Sequence, residues 1–254
     1  MPRTPLRYDR EEFEAKVGSL LSSLQILPRD PSLYILACIH RSVLNEAHTG
    51  YEQSNERLEY LWDAVLELIV TEVLFHEFSE KTEWELTDIR SALVRGRNLA
   101  EIASKLAFSP AIQLSRGESL AQGHDNPYIL ANTLEAMVGA VYLDQGFERA
   151  KGFIMKHVYS TLPRILDQWL YVDPKSYLQE YTQAIWGITP TYMIVSEEWA
   201  DHNKNYVISA SLGETTLWEG KWSSKKKWEQ DAAENAVSRK KDWGKKVTLA
   251  KKVM

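Results

Sequence analysis

The chain has 254 residues, 44% hydrophobic and 26% charged, with a formal net charge of −5, which suits one large domain or two modest ones built around real cores. Its single cysteine, Cys38, excludes an internal disulfide; set in the apolar run Leu36-Ala37-Cys38-Ile39 it reads as a small buried hydrophobe and fits a reducing, cytoplasmic setting. There is no apolar run long enough to span a bilayer and no charged-apolar-small leader, so no membrane association is expected. Helical periodicity then runs through residues near 9–25, 31–46, 54–78, 85–107, 126–145 and 147–164, punctuated by Pro28, Pro31, Pro110, Gly123 and Gly146. Composition shifts across Trp169-Leu170-Tyr171-Val172-Asp173-Pro174, which reads as a linker. Beyond it, 175–186 has a helical pattern. Residues 191–198, 205–212 and 215–222 alternate like strands, separated by Asp201-His202-Asn203-Lys204 and Gly213-Glu214 turns. Residues 223–240 return to helix with Ala232, Ala233, Ala236 and Val237 on one face, and a Lys-rich tail follows 241. No internal repeat is present.

Charge is divided unevenly. Residues 1–172 carry 17 Lys and Arg against 24 Asp and Glu, whereas residues 173–254 carry 13 against 11. Whole-chain acidity therefore does not exclude a nucleic-acid partner, because phosphate contacts need only a local basic patch. In the acidic half, Glu56, Glu59 and Asp63 stand at i, i+3 and i+7. On a helix they fall within about 60° of one another, with Leu58, Leu61, Val65, Leu68 and Ile69 roughly opposite. Alone, that is an ordinary surface helix. Asn132 and Glu135 form a second i, i+3 pair, and two helices offering oxygen-bearing side chains to one seam can hold a hard divalent cation. Thr87-Asp88-Ile89-Arg90 and Arg95-Gly96-Arg97 supply bases that suit either a solvated face or phosphate contact.

The wording of three segments narrows the reading. Asn55-Glu56-Arg57-Leu58-Glu59-Tyr60-Leu61-Trp62-Asp63-Ala64-Val65-Leu66 resembles the signature of the ribonuclease III family, departing at Trp62 where that signature has glycine. Ile129-Leu130-Ala131-Asn132-Thr133-Leu134-Glu135-Ala136 resembles its second motif, and His40-Arg41-Ser42-Val43-Leu44-Asn45-Glu46 its opening helix. Downstream, Asp173-Pro174-Lys175-Ser176, Thr189-Pro190-Thr191-Tyr192 and Ser224-Lys225-Lys226-Lys227 resemble a double-stranded-RNA-binding domain. The resemblance implies an all-α nuclease domain over 1–168, a linker over 169–174, an α+β domain (α-β-β-β-α) over 175–241 and a basic tail over 242–254. It implies Mg²⁺, with Mn²⁺ as a possible substitute, held by Glu59, Asp63, Asn132 and Glu135. Asp63 and Glu135 would be the central catalytic groups, with Glu56 and Glu83 assisting. It further implies cleavage of double-stranded RNA to 5′-phosphate and 3′-hydroxyl ends in rRNA and mRNA precursors, by a homodimer in which Tyr60 packs across the interface.

The resemblance also implies RNA contacts at Gln179 and Glu180 on the first helix of the second domain and at His202 in its first strand turn. Ser223 and Ser224 stand at a helix start, where free N–H groups and the positive end of the dipole attract an anion, and Lys225, Lys226 and Lys227 add charge there. Such a domain reads A-form shape over about 16 bp with slight sequence preference.

Two departures bear on this reading. The family's acid at 132 is Asn here, which can still ligate through its amide oxygen but brings no charge. Trp62, Trp84, Trp199, Trp218 and Trp222 stand where the family pattern has glycine, and Trp228 where it has a small residue. Overpacking costs typically about 1–3 kcal/mol per site, so the pattern suggests a source that reads one codon, UGA, as glycine, against drift with compensation. The competing functions are a non-catalytic double-stranded-RNA-binding protein with a degenerate nuclease domain and a metal-dependent nucleotide phosphohydrolase. The second would leave the C-terminal domain without a purpose.

Overall fold

The computed structural model describes residues 9–46, 50–172, 174–200, 203–213 and 215–222. The chain divides into two compact units, Met1–Tyr171 and Val172–Met254. The first is helical: α1 (Arg10–Ser23), α2 (Pro31–Ala37), α3 (Glu56–Glu77), α4 (Glu83–Leu93), α5 (Gly96–Lys105), α6 (Arg116–Leu120), α7 (Pro127–Gln145), α8 (Phe147–His157) and α9 (Leu162–Asp167), with short 3-10 turns between several of them.

α7 is the axis of this unit. Asn126 caps it by accepting the Tyr128 N–H at 3.0 Å, and Pro127 presets its first turn. Eleven of its residues are buried, on every side, as befits a helix enclosed by others. It packs on α2, α3, α5 and α8. One contact sets its distance from α3. A Cβ built on Gly139 would lie 2.5 Å from the Leu58 carbonyl oxygen, so only glycine lets the two backbones approach this closely.

α3 buries Leu58, Trp62, Val65, Leu66, Ile69, Val70 and Leu74. The arc turned inward is thus centred near Trp62 and not near Leu61 and Leu68; Leu68 is exposed, with Tyr60 and Phe75 on the same flank. The structure also finds room where the sequence suggested none. Trp62, 1% exposed, is the largest fully buried side chain, and Trp84 stands half in solvent on the first turn of α4. The side chains of Trp199, Trp218, Trp222 and Trp228 lie outside the described residues.

Three of the expected helices are interrupted. The 31–46 segment breaks after Ala37 because Ile39 bridges Gln113, with the His40 N–H donating to the Gln113 carbonyl at 3.1 Å; a 3-10 turn (Arg41–Asn45) follows. The 85–107 segment splits at Val94 and Arg95, where buried Asn98 donates to the Leu93 carbonyl at 2.8 Å and closes α4. The 147–164 segment breaks near Pro163 into α8, a turn and α9. The bases flagged on α4 and α5 are engaged inside the unit: Arg90 donates to Thr71 at 2.8 Å, Arg95 to the Leu170 carbonyl at 3.5 Å, and Arg97 pairs with Glu101 at 3.6 Å.

At the far end of α7, Asp144 ties the α1–α2 loop down. Its carboxylate accepts from the backbone N–H groups of Arg29 and Asp30 and from the Tyr34 hydroxyl at 2.7–3.0 Å. Burial pushes its pKa up, but these bonds prevail and hold it at about 2.

The second unit has α10 (Pro174–Trp186) and three antiparallel strands in the order β1 (Thr191–Ala200), β2 (Asn203–Leu212), β3 (Thr215–Trp222). Thr191 faces Ser211 and Tyr206 faces Trp222, with irregularities at Ile194/Ser196 and Ala210/Ser211. Gly213, at φ +57, turns β2 into β3. The helix expected over 223–240 lies outside the described residues.

Candidate active site

The α3–α7 approach brings the two acidic stripes into one seam. Asn132 Nδ2 donates to Glu59 Oε2 at 2.9 Å across it. Glu135, one turn further along α7, is pushed up to about 8, first by burial and then by the negative charges of Glu59 and Asp63. Glu59 is raised as well: burial leads, the Asn132 hydrogen bond opposes it, and Glu56 and Asp63 add repulsion. Asp63 is exposed at the edge of the seam. None of Glu59, Asp63 and Glu135 forms an ion pair among the described residues. The seam therefore carries uncompensated negative charge.

That charge and its all-oxygen chemistry fit a hard divalent cation. The fit is not a finished cage. Among the described residues, no three His, Cys, Asp or Glu side chains form a ready metal-binding group. Mg²⁺ keeps several waters and needs few protein oxygens. For Asn132 to contribute, its amide must turn to present oxygen in place of the Nδ2 that now holds Glu59. Burial leads in raising these carboxylates, and the part that comes from mutual repulsion would be relieved by a cation set between them.

Of the assisting acids, Glu56 lies near enough to repel Glu59, whereas Glu83 stands apart. Glu56, at the start of α3, is held by Ser54 at 2.8 Å and Arg41 at 3.3 Å. Glu83 opens α4, accepts from Thr87 at 3.4 Å, and lines a cleft with Thr71, Phe75, His76 and Arg90 near the other end of α3. Thr71 is about 12 Å further along the helix than Asp63 at 1.5 Å per residue, so one chain does not bring Glu83 to the seam. Tyr60, beside Glu59, is 83% exposed. Gln179 and Glu180 are exposed on α10; His202, Ser224, Lys225, Lys226 and Lys227 lie outside the described residues.

The sequence did not show what holds the seam in place. His40 Nδ1 meets Ser42 Oγ at 2.9 Å, that hydroxyl accepts the Ser115 N–H at 3.0 Å, and Glu46 accepts the Arg116 N–H at 2.7 Å. Next to this brace, Asn55 donates its N–H to Ile39 at 2.9 Å and its amide to Ala37 at 3.3 Å, fixing where α3 begins. Such long-range bonds leave no periodic trace, although the histidine, serine and glutamate were visible as a fragment.

A family model described as ribonuclease-III-like matches residues 30–162, and one described as a double-stranded RNA binding motif matches 174–239. The chain belongs to the ribonuclease III family. "Ribonuclease 3" of a Nitratiruptor species is 37% identical over 227 residues, covering 89% of this chain and 95% of the relative. That of Bacillus cereus is 36% identical over 242 residues, covering 93% and 98%. The first unit is similar to the nuclease domain of ribonuclease III from Campylobacter jejuni, a structure described for flexibility in a region involved in dimer formation. The TM-score is 0.53 and the identity 37%, covering 58% of this chain and 99% of that one. As a ribonuclease III, this chain is an endoribonuclease with an RNA-binding second domain, and its acid seam lies within the matched nuclease segment. No helix among the described residues is long and apolar enough to cross a membrane.

Proposed function

We propose that this ribonuclease III cleaves double-stranded RNA with Mg²⁺, or Mn²⁺ in its place, leaving 5′-phosphate and 3′-hydroxyl ends and processing rRNA and mRNA precursors in the cytoplasm. The observation that carries the proposal is the seam itself, where the carboxyl groups of Glu59, Asp63 and Glu135 crowd together without a protein cation, and burial followed by the charges of Glu59 and Asp63 pushes Glu135 up to about 8. Glu59, Asp63, Asn132 and Glu135 would hold the metal. When bound, a divalent cation supplies a more acidic water and neutralises charge on the phosphate. Glu59 and Glu135 fix the reacting groups from opposite helices, and the exposed Asp63 edge admits the phosphate. Water attacks phosphorus, the P–O3′ bond breaks, and O3′ takes up a proton. Glu56 and Glu83 have supporting roles.

A homodimer follows from the substrate, because each protomer would cut one strand and a two-fold axis matches a duplex. Tyr60, Leu68 and Phe75 form an exposed stripe along α3 suited to that contact. The similarity to a nuclease domain with a region involved in dimer formation supports this reading. The second unit would bind the duplex through α10, at Gln179 and Glu180, together with His202, Ser224 and Lys225, Lys226 and Lys227.

A non-catalytic double-stranded-RNA-binding protein is the competing reading, favoured by Asn132 and by the open arrangement of the acids. Incubating full-length protein with duplex RNA in Mg²⁺ and in EDTA separates them. Cleavage confined to Mg²⁺ supports the enzyme; binding without cleavage at any metal concentration supports the rival.

A further inference from the structure

Tyr128 is a large side chain that the reaction described above does not use. It is the second residue of α7 and is 80% exposed. Its backbone is held firmly: Pro127 presets the turn and Asn126 Oδ1 accepts the Tyr128 N–H at 3.0 Å. Tyr128, Asn132 and Glu135 stand at i, i+4 and i+7, so the three lie within about 60° of each other around the helix axis. Tyr128 therefore continues the α7 half of the acid seam, about 6 Å along the axis from Asn132 and about 10 Å from Glu135. Its hydroxyl makes no hydrogen bond among the described residues.

We infer that Tyr128 is a substrate-binding residue whose phenol contacts a ribose 2′-hydroxyl next to the scissile phosphate; this rests on the endonuclease reading above. A strand that runs along this face of α7 with a phosphate at Asn132 and Glu135 passes the first turn of the helix. The phenol both donates and accepts, as a 2′-hydroxyl does. It is also neutral. A lysine or arginine at this position would be drawn to the unpaired carboxylates and would occupy the charge meant for a cation. The wide, shallow minor groove of A-form RNA displays 2′-hydroxyls to a protein surface, where a pre-set side chain can meet them. Tyr128 thus makes the cut sensitive to the sugar, whereas the acid seam sees only phosphate.

The test uses the full-length protein with Mg²⁺ and a duplex RNA with one defined cut, alongside duplexes carrying a single 2′-deoxy substitution at each nucleotide flanking it. Tyr128→Phe removes only the hydroxyl. It should lower kcat/KM about three- to tenfold on the all-ribose duplex, the worth of one hydrogen bond, with the change in KM and not in kcat. One deoxy substitution should lower the wild-type value by a similar factor and leave Tyr128→Phe unaffected. Tyr128→Ala should lose more, because the ring goes too. Wild-type kinetics in both variants on the all-ribose duplex would overturn the inference. So would a Tyr128→Phe defect of equal size on every deoxy-substituted duplex, which would indicate a phosphate contact. A wild-type chain that cuts no duplex would overturn the endonuclease reading beneath it, and this is seen before any variant is compared.

Discussion

Glu135 concentrates the chemistry at the scale of single residues. Its ionised form is opposed by burial and by two neighbouring carboxylates, so the folded protein holds its proton to about pH 8 while the unfolded chain releases it near the ordinary carboxylate value. Metal-free stability should therefore fall as pH rises through that window. Glu135→Gln should abolish cleavage, leave duplex binding nearly intact, and flatten that pH dependence in thermal melts. Cleavage at a wild-type rate in low Mg²⁺ would remove Glu135 from the metal site. Asn132 makes the converse case. Asn132→Asp restores a charged oxygen but loses the 2.9 Å bond to Glu59. It should lower the metal-free melting temperature while shifting the Mg²⁺ midpoint of cleavage to lower concentration. An unchanged midpoint would mean that residue 132 does not ligate.

Trp62 belongs to the same scale, and there the structure gives the large side chain a place in the core. Its indole is enclosed in the core, so Trp62→Gly should cost on the order of 3–5 kcal/mol, as deletion of a large core side chain does. A gain in melting temperature would show that the backbone is built for glycine. A single UGA codon shared by Trp62, Trp84, Trp199, Trp218 and Trp222 would agree with that result.

Among the elements, the α3–α7 crossing carries the account. The acids on each helix were legible because a carboxylate stripe repeats with the helix period, and the partial Asn126 and Pro127 start of α7 follows known end preferences. The closeness of the crossing was not legible. It depends on one missing Cβ at Gly139, and a glycine inside a helical pattern carries no mark of what it faces. Gly139→Ala should force the backbones apart, with a loss of about 1–3 kcal/mol in urea or thermal unfolding. Cleavage should fall with it, because Asn132 and Glu135 would shift away from Glu59 and Asp63. Unchanged stability would mean that the crossing relaxes freely and does not set the seam. The broken helices teach the same lesson. Ile39 with Gln113, and Asn98 with Leu93, end their helices through partners remote in sequence or buried, and periodicity alone continues past both.

For the whole molecule, two units of different chemistry follow one another along the chain. The acidic helical unit matches a nuclease family and the unit behind it a double-stranded RNA binding motif, so acid and base are separated along the chain as the charge counts indicated. The order of one helix and three strands was readable because strand alternation and the Gly213 turn are local signals. The placement of Glu83 was not, since it depends on where α4 begins relative to α3, and Thr82 fixes that start through a capping box with Glu85. The most direct test of the central claim is cleavage of a long RNA duplex by the full-length chain as Mg²⁺ is titrated from an EDTA-treated start, with end-group analysis of the products. The expected result is no cutting in EDTA, cutting that saturates with Mg²⁺, and 5′-phosphate and 3′-hydroxyl ends. Metal-independent cutting, or duplex binding with no cutting at any Mg²⁺ concentration, would contradict it.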